Sequence, residues 1–185
     1  MLLMPMLWSL RRPRFQRFST KLDLLDNFKN NTISVVHSTN AFLPLLKNGA
    51  AKKVLAVSSG LGDQDLTLAG ELATKSSYSI SKAALNVVVA KYAAQFKADG
   101  FVFLAISPGI VDTSATSASA PTAGALEELK MLSKAIPKLA PSFGGPITTE
   151  ESVRMQLDGL NRWTVKETGV FVSHLGNKEG CRRMQ

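Results

Sequence analysis

The sequence is poor in the residues that build disulfides and metal sites. Cysteine occurs once among 185 residues, as Cys181, so an intramolecular disulfide is excluded. The two histidines, His37 and His174, are far apart and have no partner at ligand spacing, which disfavours a metal site and indicates surface or packed side chains. A chain without disulfides suits a reducing compartment, and we predict a cytoplasmic protein.

Long hydrophobic runs are also missing. The apolar part of residues 1–20 (MLLMPMLWSLRRPRFQRFST) is too short to cross a bilayer and is interrupted by Pro5. Its charges follow the apolar part, which is the wrong order for a secretory signal, whereas its arginines and lack of acids have some mitochondrial-presequence character. We expect a disordered basic tail over 1–20 and no membrane partner. A mitochondrial location is the minor alternative to the cytoplasm.

Acidic residues are outnumbered, since 14 Asp and Glu face 22 Lys and Arg, for a net charge of +8. Five of the basic residues precede the first acid, Asp23, and no later stripe of Lys and Arg alternates with aromatics. This distribution argues against nucleic-acid binding. With 45% hydrophobic and 19% charged residues, the composition is that of a globular chain, and we predict one domain over 21–185.

The hydrophobic pattern predicts helices and strands in alternation. Helical periods cover 21–47, 78–97 and 148–161, whereas short apolar runs typical of buried strands cover 52–57, 101–106 and 169–173. Pro44 is expected to kink or restart the first helix. Segments 60–77 and 113–146 are predicted to be loops. The second should contain a short helix near 124–135, and loops as long as this one often form a lid over a binding site. This order is typical of an α/β fold with a parallel sheet.

The second of these helices opens with a pair of side chains that suits acid-base chemistry. Tyr78 and Lys82 are four residues apart, so on a helix they project from one face. An ammonium one turn away favours the phenolate form of a tyrosine, which makes the phenol usable for proton transfer. Such pairs are also common on helices without any function, so the neighbouring residues must show whether this pair is part of a site.

Two small-residue loops follow the first two strands and flank this helix in sequence. Ser58-Ser59-Gly60 ends the first strand, and Pro108-Gly109 begins a loop after the second. Because ligands of parallel sheets bind at the carboxyl ends of strands, we expect the hydroxyl, the phenol and the ammonium to converge on one cleft.

The segments VLAVSSG, YSISKAALN and SPGIVDT, in this order, resemble the C-terminal half of short-chain dehydrogenases/reductases. The resemblance runs from about Leu24 to Gly176, and its YxxxK element with Ser and PGxVxT companions is specific. NAFLPLLKNGAAKKVLAVSSG and GVFVSHLGNK are most similar to reductases of filamentous fungi, many of which belong to secondary-metabolite pathways. The implied fold is a Rossmann-like, doubly wound parallel sheet.

The resemblance implies a role for each matching side chain. Tyr78 exchanges a proton with the substrate oxygen, and Lys82 assists it and binds the nicotinamide ribose. Ser59, with Ser58 as the less favoured choice, orients the substrate carbonyl, and Asn31 carries a water in a proton relay. Hydride transfer belongs to the cofactor, NADP or else NAD. Four further residues match the loop that touches the nicotinamide: Pro108, Gly109, Val111 and Thr113.

The N-terminal half of the family pattern has no counterpart in this sequence. Gly60-Leu61-Gly62 is not the phosphate-binding turn, because Asp65 stands where a third glycine is required and the motif follows the wrong strand. We therefore expect a truncated doubly wound sheet that lacks its nucleotide-binding strands and exposes an apolar edge.

Two functions remain open from the sequence. The first is an NADP(H)-dependent oxidoreductase for a ketone or aldehyde and its alcohol, for which the resemblance implies a role in fungal secondary metabolism. The second is a catalytically inactive remnant that acts through protein–protein contacts. The resemblance also implies a homodimer through the helices 21–47 and 78–97. The lid composition suits an apolar small-molecule substrate.

Overall fold

The computed structural model describes residues 19–114, 130, 132–136, 138–139 and 143–177. The first 18 residues of the expected basic tail, Cys181, and most of the expected lid and its helix lie outside them. Within the described ranges the regular elements are α1 (Lys21–Phe28), α2 (Ser34–Asn48), β1 (Lys53–Val57), α3 (Gln64–Ala69), α4 (Ser76–Phe96), β2 (Val102–Ser107), α5 (Thr149–Arg162) and β3 (Phe171–Ser173).

The strands form a parallel sheet in the order β1-β2-β3. Lys53 lies opposite Val102 in one strand pair, and Ala105 lies opposite Phe171 in the other. The central strand β2 is buried from Val102 to Ile106. Alternating helices and strands around a parallel sheet confirm the predicted α/β class.

The two faces of the sheet are covered by different helices. On one face α4 buries Leu85, Val89 and Ala93, which are spaced four residues apart, against a cluster that includes Phe101 and Phe103 of the β2 region. Ile106 points to the other face, because side chains alternate along a strand, and there it approaches Gly159 of α5. The edge of the sheet that follows the strand ends thus lies between α4 and α5.

The helix starts follow simple capping chemistry. Thr20 and Asp23 form a capping box at α1, and Thr148 and Glu151 form another at α5, as the hydroxyl-then-acid pattern predicts. At the other end of α5, the Lys53 ammonium donates hydrogen bonds to the carbonyls of Leu160 and Asn161, at 2.7 and 3.0 Å. This cation satisfies carbonyls that have no partner within the helix.

The first helical region differs from the prediction in two ways. A π-helical turn, Lys29–Ile33, joins α1 to α2 (hereafter the π turn). In addition, of the kink or restart expected at Pro44, the restart is absent, because α2 continues through this residue to Asn48. Proline removes one backbone hydrogen bond, and the surrounding turn is held by Leu43 and Leu46, which pack against the core.

Segment 60–77 was expected to be a loop, and that expectation is wrong. It holds a one-turn 3₁₀ helix, Gly60–Gly62, and α3. The Asp63 carboxylate accepts a hydrogen bond from the backbone N–H of Leu66, which caps α3 and explains a helix in a segment without a hydrophobic period.

β1 is less buried than its apolar sequence predicts. Ala56 is buried, whereas the Val57 side chain is 50% exposed. The physical reason is that β1 pairs with β2 alone among the described residues, so its other edge has no strand beside it. Within the described ranges, no helix has the length and apolarity to span a membrane.

Candidate active site

Tyr78 and Lys82 lie in the first turns of α4 and share a face, as their spacing predicts. The Lys82 ammonium is 5.7 Å from the centroid of the Tyr78 ring, within the range of a cation–π contact. It also donates a hydrogen bond of 2.9 Å to the carbonyl of Val57, the last residue of β1. The ammonium is therefore fixed between the strand end and the phenol.

Burial lowers the pKa of Lys82 below the ordinary lysine value. Partial removal of water penalises the charged ammonium, and the Val57 carbonyl replaces part of the lost hydration. A lysine in this state can donate hydrogen bonds to a neighbouring ligand at little further cost in desolvation.

The two serines after β1 have different surroundings. Ser58 is buried, and its hydroxyl donates a 2.6 Å hydrogen bond to the Asn86 side chain on α4, which ties the strand end to the helix. Ser59 is half-buried, and its hydroxyl oxygen accepts from the backbone N–H of Leu61 at 3.2 Å. As an acceptor, Ser59 keeps its hydroxyl hydrogen for donation, which a residue that orients a carbonyl requires.

Gly62 brings the turn that follows Ser59 directly against α4. A Cβ at this position would lie 2.9 Å from the backbone nitrogen of Ala83 and from the carbonyl carbon and Cβ of Lys82. Glycine is therefore needed for close packing of this turn on α4. This glycine does not mark a phosphate-binding loop, because the space beside its Cα is filled by α4 and a phosphate could not enter it.

Asn31 lies in the π turn and faces α4. Its side-chain amide donates a 3.0 Å hydrogen bond to the Ser81 hydroxyl, and that hydroxyl donates at 2.7 Å to the carbonyl of Tyr78. The adjacent Thr32 hydroxyl donates at 2.9 Å to the carbonyl of Ser81. Single π turns are frequent at functional sites. The turn thus joins Asn31 to the start of α4.

The loop after β2 is held at three points. The buried Ser152 of α5 donates a 2.8 Å hydrogen bond to the carbonyl of Pro108. Gly109 has φ +87°, and a Cβ there would meet the His174 ring at 2.9 Å. Further along, Ile147 exchanges backbone hydrogen bonds with Ile110 and Asp112, both of 2.9 Å. The loop therefore has a defined backbone, on which Val111 is half-buried and Thr113 is exposed.

One hydrogen bond joins the two loops that follow the strands. The backbone N–H of Gly60 donates at 3.1 Å to the Ser107 hydroxyl at the end of β2. It places the turn after Ser59 beside the start of the Pro108 loop. The structure thus places Tyr78, Lys82 and Asn31 around the start of α4, where the turn after Ser59 packs on Lys82 and is joined to the start of the Pro108 loop.

Several contacting residues of the site were missing from the sequence prediction: Ser81, Asn86, Ser152 and His174. His174 packs against Gly109, and its Nδ1 is buried without a hydrogen-bond partner among the described residues. Burial lowers the pKa of its imidazole. Among the described residues, no group of three or more His, Cys, Asp or Glu side chains is placed to hold a metal ion.

Comparison with known proteins agrees with this architecture. Short-chain dehydrogenase/reductase AacuF of Aspergillus aculeatus is 45% identical over 159 residues, which are 85% of this chain and 59% of AacuF. Short-chain dehydrogenase/reductase atnB of an Arthrinium species is 42% identical over 147 residues, which cover 80% of this chain and 54% of atnB. The chain thus spans less than three-fifths of the length of either relative.

A solved structure shows the same relation. The NADPH-bound carbonyl reductase from chicken fatty liver aligns with a TM-score of 0.64 and 26% identity, over 86% of this chain and 57% of the reductase. The sequence model of the family described as "short chain dehydrogenase" matches residues 10–124, more than half of the chain. With its three-stranded parallel α/β sheet of Rossmann type, the chain belongs to the short chain dehydrogenase family.

Proposed function

We propose that this chain carries the proton-transfer part of an NADP(H)-dependent oxidoreductase that reduces a ketone or aldehyde or oxidises the corresponding alcohol. The observation that supports this most is the Lys82 ammonium, fixed by the Val57 carbonyl beside the Tyr78 ring. Ser59 follows the same strand end, and we propose that its hydroxyl, the Tyr78 phenol and the Lys82 ammonium face one substrate position. Similarity to an NADPH-bound carbonyl reductase supports the choice of cofactor.

In this proposal Tyr78 gives its phenolic proton to the substrate oxygen as a carbonyl is reduced, and takes one back in the reverse direction. Ser59 donates a hydrogen bond to that oxygen and thereby orients the carbonyl. Lys82 stabilises the phenolate that forms, because a positive charge beside it lowers its energy. Asn31 belongs to the relay that returns a proton to Tyr78.

The nicotinamide end of a dinucleotide fits the described residues. The loop after β2 has a backbone fixed by Ser152 and Ile147, and in it Val111 is half-buried and Thr113 is exposed. We propose that Pro108, Gly109, Val111 and Thr113 hold the nicotinamide and that Lys82 binds its ribose. The cofactor supplies the hydride, and the protein positions it and handles the proton.

The described part of the chain has no binding site for the pyrophosphate end of the dinucleotide. Gly60–Gly62 is occupied by its packing on α4, and β1 is the edge strand there. We propose that the sheet corresponds to the later strands of a doubly wound sheet, after its nucleotide-binding strands. The match covers 59% of AacuF and 54% of atnB, so both relatives are long enough to hold further strands.

A homodimer in the cytoplasm remains our proposal for assembly and location. Large apolar side chains are exposed on α1, α2 and α4, the helices expected to form the interface: Leu22, Leu25, Phe42, Leu45 and Val87.

Similarity to fungal relatives supports a small-molecule substrate from fungal secondary metabolism. The alternative is an inactive protein that acts through protein–protein contacts, which the half-exposed edge of β1 favours.

Cofactor binding and turnover separate these proposals. We expect the fluorescence of NADPH to change on titration with the purified chain, and a carbonyl substrate to be reduced. Tyr78→Phe should keep NADPH binding and lower turnover by about 10²- to 10⁴-fold, the range for loss of a general acid. The matched control is Tyr92→Phe, which removes the other tyrosine hydroxyl of the same helix. Absence of NADPH binding by the wild-type chain would refute the enzyme proposal for this chain.

A further inference from the structure

Ser81 is the meeting point of a small hydrogen-bonded network between two helical segments. Its hydroxyl accepts from the Asn31 amide and donates to the Tyr78 carbonyl, while its own carbonyl accepts from Thr32. The distances are 3.0, 2.7 and 2.9 Å. Two residues proposed to act on protons, Asn31 and Tyr78, are therefore joined through one hydroxyl group.

Burial makes this network specific. Ser81 is fully buried and Thr32 is 2% exposed, so water cannot replace either partner. A serine hydroxyl has a single hydrogen to donate, and here it is used on the Tyr78 carbonyl. Any shift of α4 along or around its axis would break one or more of these bonds and leave a buried polar group without a partner, which is costly.

We propose that Ser81 is a positioning residue that sets the place of Tyr78 relative to Asn31. This proposal rests on the proposed function, since it assigns Ser81 a part in the same proton-transfer site. Ser81 does not touch the substrate in this role. It fixes the backbone from which Tyr78 projects and orients the Asn31 side chain through its amide nitrogen.

The same contacts predict how the effect of substitutions combines. Ser81→Ala removes both the acceptor for the Asn31 amide and the donor to the Tyr78 carbonyl, whereas Asn31→Ala breaks the Asn31–Ser81 bond alone by removing its donor. Because residues in one hydrogen-bonded network are not independent, the double variant should lose less than the product of the two single losses. Thr32→Val tests the third bond and changes neither Asn31 nor the hydroxyl of Ser81.

The chain offers a test that does not need activity, because Tyr78 and Tyr92 are its two tyrosines. With ¹³C-labelled tyrosine, the full chain should give two ring signals, assigned by Tyr78→Phe. We expect Ser81→Ala and Thr32→Val to shift or broaden the Tyr78 signal and to leave that of Tyr92 in place. Ser79→Ala, a half-buried serine of the same helix, is the matched control and should change neither signal by a comparable amount.

Turnover provides the second measurement. We expect Ser81→Ala to lower kcat by about 10- to 100-fold, the cost of a small misplacement of a catalytic group, with little change in KM for NADPH. An unchanged Tyr78 signal in Ser81→Ala and Thr32→Val would overturn the proposal. So would equal movement of both tyrosine signals, because that indicates general loosening of α4. If the wild-type chain has no NADPH-dependent turnover, the proposed function fails while the tyrosine signals still decide the role of Ser81.

Discussion

Gly62→Ala is the substitution whose cost the structure defines most directly. The added methyl group would lie 2.9 Å from three atoms of Lys82 and Ala83, and none of these is the end of a flexible side chain. Ordinary contacts begin at 3.4 Å, so the turn or α4 must move by roughly half an ångström. Overpacking of this kind costs about 1–3 kcal/mol of the free energy of unfolding. For a chain of this size that lowers Tm by roughly 2–12 °C.

The matched control is Gly144→Ala. No atom lies within 4 Å of a Cβ at Gly144, and its φ is not in the positive range. Alanine there reduces the freedom of the unfolded chain and should be neutral or stabilising by up to about 1 kcal/mol. Urea denaturation of both variants and the wild type measures the difference. Equal free energies of unfolding for Gly62→Ala and Gly144→Ala would refute the packing argument.

Three other changes test the described contacts. Lys53→Met should cost about 1 kcal/mol in urea denaturation, because the last carbonyls of α5 lose a cationic donor, and exposed Lys91→Met should cost less. Burial raises the pKa of Tyr92, so its neutral phenol contributes stability that is complete below pH ~10 and declines above it. Tyr92→Phe should therefore reduce the alkaline loss of Tm, and an equally steep loss would contradict this. Burial lowers the pKa of His174, so the folded chain binds that proton less readily than the unfolded chain and stability should fall as pH drops through ~6.5. An NMR titration of His174 with a midpoint at or above 6.5 would contradict that account.

Elements with a strong hydrophobic pattern could be predicted from the sequence. The apolar run of β2 and the buried stripe of α4 leave little choice of structure, and the hydroxyl-then-acid pattern at Thr148 marks the start of α5 correctly. By contrast, α3 is stabilised by one capping carboxylate, Asp63, and its sequence has no period that distinguishes it from a loop.

The arrangement of the site could be predicted in part. Tyr78 and Lys82 share a face because their spacing alone requires it on a helix. The contacts of Ser152 with Pro108 and of His174 with Gly109 depend on how distant segments pack, and no local pattern encodes them. Gly62 offered one signal, since an isolated glycine can mark close approach of two backbones, but the sequence does not show which helix it approaches.

The π turn has a consequence for how this helix can vary in length. Asn27 before the turn and Asn31 within it contact α4 residues. Thr32, also within the turn, and Val36 and Asn40 after it do the same, so two four-residue series meet inside the turn with an offset of one position. In a regular α-helix consecutive residues point about 100° apart, and one of Asn31 and Thr32 would face away. Deletion of one residue from the turn should keep both series on α4 and remove one contact to Ser81. Relatives whose π turn is one residue shorter would then share the fold but lack one of the two contacts that Asn31 and Thr32 make with Ser81.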